Sequence, residues 1–333
     1  MLLGGDIGGT KTLLALATPG PDGRLQIVLE RSYASREHPT FDSVLDRFQS
    51  EARHSGCTEA IAAACVGLAG PVHSGRAKVT HLPWQLDAGE LGKRLGAPMY
   101  LLNDFAAVAA GLLDPAAIPT EVLHGAPADA RGTRVVLGAG TGLGVAALTC
   151  VGEHWKIVSG EGGHMGFGPA DAEQARLHAW LAARNPRVTA ERILCGRGLV
   201  DLYRFVCADS GGASAEIDVS ASGDDAAAAI GNRALADPES ACGRALRLFC
   251  AVYGAFAGDL ALLFNARGGV FLAGGIAPKI LAALRRPAFV DAFLDKGVHS
   301  ALVANYPAQV VMEPRLGLLG ALQLAAGRGI AEN

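Results

Sequence analysis

Several stretches of this 333-residue chain gather glycines, hydroxyls or charged side chains closely enough to do chemistry. Gly5-Asp6-Ile7-Gly8-Gly9-Thr10 puts several backbone N–H groups, a hydroxyl and a carboxylate into one turn. Without a Cβ, a ligand can approach such a backbone closely. The N–H groups and Thr10 can hold phosphate oxygens, and Asp6 can hold Mg²⁺ through water. Gly138-Ala139-Gly140-Thr141-Gly142-Leu143-Gly144 offers a second nest of donors, with Thr141 as its hydroxyl. Gly274-Gly275, after the apolar run Val270–Leu272, would let an adenine or a ribose lie against the chain. Lys11 can reach phosphates as a point charge or simply solvate the turn. A lone glycine turn is more often a plain hairpin. Two commoner nucleotide patterns are nevertheless excluded. A Walker A loop needs G-x-x-x-x-G-K-[ST], but Thr10 separates Gly9 from Lys11. A dinucleotide fingerprint needs a sixth-position glycine, and counting from Gly138 or Gly140 gives Leu143 or Val145.

The remaining candidates are carboxylates and their neighbours. Asn103-Asp104 closes the apolar run Met99–Leu102 and opens an apolar, alanine-rich helix. From position alone either residue could cap that helix, or either could face a cleft. Glu161-Gly162-Gly163-His164 has the spacing of a metal-binding helix, but its two glycines argue against a helix, and no Cys or second His lies nearby. A carboxylate, an imidazole and open backbone in one loop suit a polyol instead, since each hydroxyl needs a donor and an acceptor. Glu191 follows Thr189 at a helix start, where a carboxylate also favours the macrodipole, so binding and structural roles both stay open. Trp84, Trp155 and Trp180 read as packing residues, and His38, His54 and His178 show no partner pattern.

These groups need scaffolding. Leu2–Gly5 and Lys11–Ala17 read as strands around the first turn, and Val135–Leu137 and Val145–Cys150 as strands around the second. This repeat predicts two similar halves facing each other. Further strands are expected at Ile27–Ser32, Ala60–Leu68 and Gly269–Leu272. Helices are expected at Phe41–His54, Phe105–Leu113, Ala172–Arg184, from Ala190 onward, Cys242–Phe264 and Leu316–Arg328. Residues 209–229, rich in Gly, Ser, Ala and Asp, read as a surface loop without functional weight.

Composition narrows the class. The length exceeds what one core usually carries, so two domains with a cleft between them are expected. Half the residues are hydrophobic, 18% are charged and 44 are glycine, which suits a compact α/β enzyme. A net charge of −3 provides no basic field for nucleic acid. The seven scattered cysteines form no C-x-x-C pair and read as reduced thiols in a cytosol. The N-terminus lacks a basic and apolar leader pattern, and Leu246–Phe264 contains Asp259, Gly254 and Gly258. A soluble, cytoplasmic protein without a membrane span is therefore expected.

The ordered succession GDIGGT, LND, GAGTGLG, GEGGH, AER and LAGGI, from Gly5 to about Gly320, resembles the bacterial glucokinases of the hexokinase–actin class. The resemblance implies a two-domain, actin-like (ribonuclease H-like) α/β fold, each domain a mixed sheet flanked by helices, with a cleft between them. The smaller domain would comprise residues 1–104 plus 314–333, and the larger 105–313. It implies transfer of the γ-phosphoryl of MgATP to the 6-hydroxyl of D-glucose, with domain closure excluding water. Asp104 would be the general base, and Asn103, Asp104, Glu161, His164 and Glu191 the sugar contacts. Gly5, Asp6, Ile7, Gly8, Gly9, Thr10, Gly138, Gly140, Thr141, Gly274 and Gly275 would serve ATP, and Asp6 the Mg²⁺. A homodimer is implied as well. Lys11 stands where the family often has Asn, and Thr80-His81-Leu82-Pro83-Trp84 stands where it has T-N-x-x-W. Lys11 resembles instead the ROK sugar kinases, so a ROK-type kinase for another hexose is one alternative. Those kinases usually carry a cysteine-rich zinc motif after the histidine, where this chain has only Cys195. The other alternative is a sugar-sensing regulator. Such proteins generally carry an N-terminal DNA-binding segment, whereas the first strand here is expected from Leu2.

Overall fold

A computed structural model of the protein describes residues 1–21, 23–209, 217, 219 and 223–327. The chain opens with β1 (Leu2–Ile7), β2 (Lys11–Pro19) and β3 (Leu25–Ala34), an antiparallel succession. Helix α1 (Phe41–His54) leads to β4 (Ala63–Leu68), parallel to β1. A small three-stranded sheet follows: β5 (Val72–His73), β6 (Arg76–Lys78) and β7 (Gln85–Asp87). Then come α2 (Ala88–Leu95), β8 (Met99–Asn103), parallel to β4, and α3 (Asp104–Ala110). The first large sheet has the order β3-β2-β1-β4-β8.

The strands at the centre of this sheet are apolar on both faces, as a sheet covered on both sides requires. On one face Leu3, Ile7, Leu14 and Val66 pack with Phe41, Val44, Leu45 and Phe48 of α1. Those four α1 residues recur at helical spacing, and Thr40 caps the helix by accepting from the Ser43 N–H at 3.2 Å. On the other face Leu2, Leu13, Ala15 and Cys65 pack against Leu318, Ala321 and Leu322 of the C-terminal helix Leu316–Ala325.

The second large sheet is built from β9 (Thr120–His124), β10 (Arg134–Ala139), β11 (Leu143–Val151) and β12 (His154–Gly160), joined by β13 (Gly269–Ala273) and β14 (Ala308–Val311). Its order is β12-β11-β10-β13-β14-β9, with β10, β13 and β14 parallel. Numbered from its glycine-turn hairpin, each sheet runs third, second, first, fourth, fifth strand, and the second sheet adds β9 at its far edge. The internal repeat expected from the two glycine turns is therefore a repeat of topology. Helices α4 (Ala172–Ala182), α5 (Ala190–Ile193), α6 (Gly196–Asp209), α7 (Gly223–Ala236) and α8 (Ala241–Phe264) lie between β12 and β13 in sequence.

Two compact units result: Met1–Ile118 with Ala146–Ser159 and Glu313–Asn333, and Pro119–Val145 with Gly160–Met312. The loop expected over 209–229 needs correction. Gly223 onward is helix α7, whose alanine-rich run favours helix, and most of the rest of that stretch lies outside the described residues. Helix α8 is long and apolar enough to cross a membrane, but 67% of its most apolar stretch is buried. All seven cysteines are unpaired, and burial pushes the Cys65 and Cys250 thiols up to about 12.

Candidate active site

In the first unit the candidate residues collect at the C-terminal ends of parallel strands, where open α/β sheets place their ligands. Asp6 of β1 pairs in register with Gly67 of β4, and Leu68 pairs with Asn103 of β8. Asp6 and Asp104 thus stand at the ends of two strands that flank β4. Gly67 makes this arrangement possible. A Cβ there would sit 2.8 Å from the Ala107 Cβ, so only glycine lets α3 lie this close to the sheet. The two carboxylates are near enough to repel each other. Burial, and then the charge of Asp104, push the Asp6 carboxyl up to about 6, while Lys11 pulls it partly back.

The question of which residue caps α3 is resolved. Asn103 Oδ1 accepts from the Phe105 and Ala106 N–H groups at 2.9 and 3.3 Å. Its Nδ2 donates to the Gly70 carbonyl at 3.4 Å, which leaves one amide hydrogen for a ligand. Asp104, half-buried, is steadied through Oδ1 by the Phe105 N–H at 2.9 Å.

The first glycine turn divides into two parts. Gly5 and Ile7 are buried members of β1; a Cβ on Gly5 would press on the side chains of Leu14 and Val66 at 2.9 Å. Their backbones belong to the sheet ladder, so the accessible part of the turn is Asp6 and Gly8–Thr10. The Gly8 N–H is also committed, donating to the Lys11 carbonyl at 2.9 Å. Among the described residues, the N–H groups of Gly9 and Thr10 and the Thr10 hydroxyl keep no protein partner. A buried residue that the sequence did not single out holds this turn in shape. Ser35 Oγ donates to the Gly8 carbonyl at 2.8 Å and lies 2.9 Å from Thr12 Oγ1, and the Ser35 N–H donates to the Thr10 carbonyl at 3.0 Å. Both hydroxyl residues are fully buried. Both carbonyls are thereby held by Ser35.

In the second unit Gly138 lies inside β10, opposite Ala273 of β13. The turn itself closes with the Gly140 N–H donating to the Gly142 carbonyl at 2.9 Å, and it leaves Thr141 exposed. Gly274 has φ +81°, and a Cβ there would lie 2.6 Å from the Ala139 carbonyl oxygen, so both conformation and space demand glycine. Gly275 is open on the side a Cβ would occupy.

The second unit also brings together His164 and Glu191, far apart in sequence. The residues after His164 form a short antiparallel bridge, Gly166 with Thr189, supported by Ala190 N–H to Met165 O at 2.9 Å and Phe167 N–H to Val188 O at 3.0 Å. Thr189 caps α5 and sets Glu191 in its first turn. His164 Nε2 then lies 3.9 Å from Glu191 Oε1. Glu191 Oε2 accepts from the Leu143 N–H at 2.9 Å. Behind Glu191, Arg192 is paired with the buried Asp201, which also binds Arg204 at 3.3 Å and so ties α5 to α6. Glu161 is exposed, and its backbone carbonyl accepts from the His164 N–H at 3.0 Å. Gly163 of the same loop lies flat on the Leu143 carbonyl, where any side chain would collide. The glycines that argued against a helix here are therefore packing glycines.

Two of the three tryptophans pack: Trp84 is buried beside Phe41 and donates to the His38 carbonyl at 3.0 Å, and Trp180 lies under the Arg184 guanidinium at 3.9 Å. Trp155 is half-buried on the mostly exposed strand β12.

Two sheets of matching strand order, each with a glycine turn, together with a carboxylate at a parallel-strand end, define a phosphotransferase of the actin-like sugar-kinase class. Comparison with known proteins is specific within that class. The family model described as Glucokinase matches residues 3–328. A glucokinase of Sinorhizobium medicae is 37% identical over 96% of this chain and 90% of its own, and a glucokinase of Synechocystis is 36% identical over 97% of each. The crystal structure of a glucokinase from an Antarctic psychrotroph superposes with a TM-score of 0.84 at 28% identity, covering 98% of both chains. The chain belongs to the glucokinase family.

Proposed function

We propose that this protein transfers the γ-phosphoryl group of ATP to the 6-hydroxyl of D-glucose, with Asp104 as the base that accepts the hydroxyl proton. Family membership supports the overall reaction, and the placement of Asp104 at the end of β8 next to Asp6 supports its role. The glucose oxygen forms a bond to the γ-phosphorus as the bond from that phosphorus to the β,γ-bridging oxygen breaks. ADP leaves, and the proton moves to Asp104. A carboxylate tethered by the Phe105 N–H keeps a fixed direction while its second oxygen takes the proton. The Gly9 and Thr10 N–H groups, the Thr10 hydroxyl and the exposed Thr141 turn are the donors offered to the phosphates. The spare Asn103 amide hydrogen, Glu161, His164 and Glu191 are the sugar contacts. Most of the acceleration would come from positioning and charge stabilisation, since phosphoryl transfer leaves little covalent work for the protein.

Mg²⁺ suits the residues present. Asp6 is a half-buried carboxylate whose charge is poorly compensated, as its rise to about 6 indicates. No group of three or more potential ligands forms a cage among the described residues. A cation that keeps its waters and needs one or two carboxylates plus substrate phosphates fits that donor set. Bound there, it would neutralise charge on the phosphates.

The test is an assay of ADP release across glucose, mannose, fructose and N-acetylglucosamine, for the native enzyme and Asp104→Asn. Glucose should be the preferred substrate. The variant should lose about 10²- to 10⁴-fold in kcat, the range for removing a base, while still binding glucose. Full activity in the variant would refute the assignment of Asp104.

A further inference from the structure

We propose that Gly142 is a positioning residue for the sugar site: the second glycine turn, whose donors otherwise face phosphate, also holds the carboxylate of Glu191 in place. The inference rests on the reading of Glu191 as a sugar contact. Its basis is the contact between turn and carboxylate. The Leu143 N–H donates to Glu191 Oε2 at 2.9 Å, which fixes that oxygen and leaves Oε1 to meet a ligand, 3.9 Å from His164 Nε2. This bond forms only because residue 142 has no side chain. A Cβ on Gly142 would stand 2.7 Å from Glu191 Oε2 and 3.4 Å from its Cδ, and it would approach nothing else within 4 Å.

The turn is braced independently of Glu191. The Gly140 N–H donates to the Gly142 carbonyl at 2.9 Å, and the Gly196 N–H donates to the Gly140 carbonyl at 3.0 Å. A clash at position 142 is therefore relieved by moving the flexible end of Glu191. Gly142 also lies outside the left-handed region, so alanine fits its backbone without strain. Gly142→Ala consequently acts as a selective wedge. It leaves the fold and the turn intact and pushes one carboxylate off its donor. The nearby Gly163 offers no such tool, because a side chain there would meet the Leu143 carbonyl itself.

The experiment is a double-mutant cycle on the full-length enzyme with Gly142→Ala, Glu191→Ala and the pair, reading KM for glucose and for ATP by initial rates. Gly142→Ala should raise KM for glucose about 10- to 100-fold, the range for losing a hydrogen bond to a charged group. KM for ATP should change less than about threefold. In the Glu191→Ala background the same wedge has nothing to displace and should add less than about twofold. A purely structural defect would raise both constants and persist in that background, overturning the inference. If Glu191→Ala raises KM for glucose but Gly142→Ala does not, the positioning role fails alone. If Glu191→Ala leaves KM for glucose unchanged, the reading of Glu191 as a sugar contact fails.

Discussion

Replacing Asp6 with asparagine should make the protein more stable at pH 8 while impairing catalysis. In the unfolded chain the Asp6 carboxyl ionises near the ordinary 3.8, whereas in the native protein burial and the Asp104 charge raise it to about 6. Between about pH 4 and pH 6 the native state therefore holds a proton that the unfolded state has released. Stability falls as pH rises across that window, and the whole cost is present above about pH 6. A gap of about two pH units corresponds to about 3 kcal/mol. Asparagine keeps the shape and carries no charge, and the neighbouring Gly317 leaves room, since a Cβ there would lie 3.2 Å from Asp6 Oδ2. Urea unfolding can be followed by the fluorescence of Trp84, 1% exposed and in the same unit as Asp6. At pH 8 Asp6→Asn should be more stable than the native protein by about 3 kcal/mol. At pH 4 the two should coincide. A variant that is no more stable at pH 8, or an advantage that does not shrink toward pH 4, would refute the reasoning.

Two other substitutions separate the sugar and nucleotide roles. Glu161→Gln should raise KM for glucose about tenfold, the effect of weakening one charge-assisted hydrogen bond, with kcat nearly retained; an unchanged KM would remove Glu161 from the sugar site. Ser35→Ala should leave the Gly8 carbonyl and the Thr12 hydroxyl without their buried partner, at about 1–3 kcal/mol. It should raise KM for ATP by about tenfold and leave KM for glucose alone, since the turn it braces is the one proposed to meet the phosphates; equal KM values for ATP in variant and native enzyme would exclude that function.

Much of the fold was legible because its central strands are continuous apolar runs and helix α1 carries one clear helical period. Phe41, Val44, Leu45 and Phe48 fix α1, and the apolar runs around Gly8 and Thr141 fix four strands of two matching hairpins. What escaped the sequence was short or one-sided. Strands β5 to β7 have two or three residues each. The edge strand β12 is mostly exposed and alternates only weakly. Helix α7 was hidden because alanine-rich sequence after a run of Gly, Ser and Asp has propensity without an apolar stripe.

The candidate site was more legible in its carboxylates than in its glycines. A carboxylate such as Asp104 or Glu191 is a candidate for chemistry by its type, even where a helix start also explains it. A glycine announces only a missing side chain, and the reason it is missing lies elsewhere in the chain. Read along the sequence, Gly5, Gly8, Gly9, Gly138 and Gly140 of the two turns go to ATP, and Gly142 goes to nothing. In three dimensions Gly5 makes room for Leu14 and Val66, Gly67 admits helix α3, and Gly142 makes room for Glu191, while Gly275 is open on the side a Cβ would fill and a Cβ on Gly9 would meet only ordinary contacts, the nearest being His81 Cβ at 3.6 Å. The same holds for Ser35, which nothing in its own neighbourhood distinguishes from other loop serines. Its role comes from β2 and β3 bringing it beneath Gly8. Residues that act on a ligand carry their chemistry in their own side chains, but residues that position them are defined by a partner.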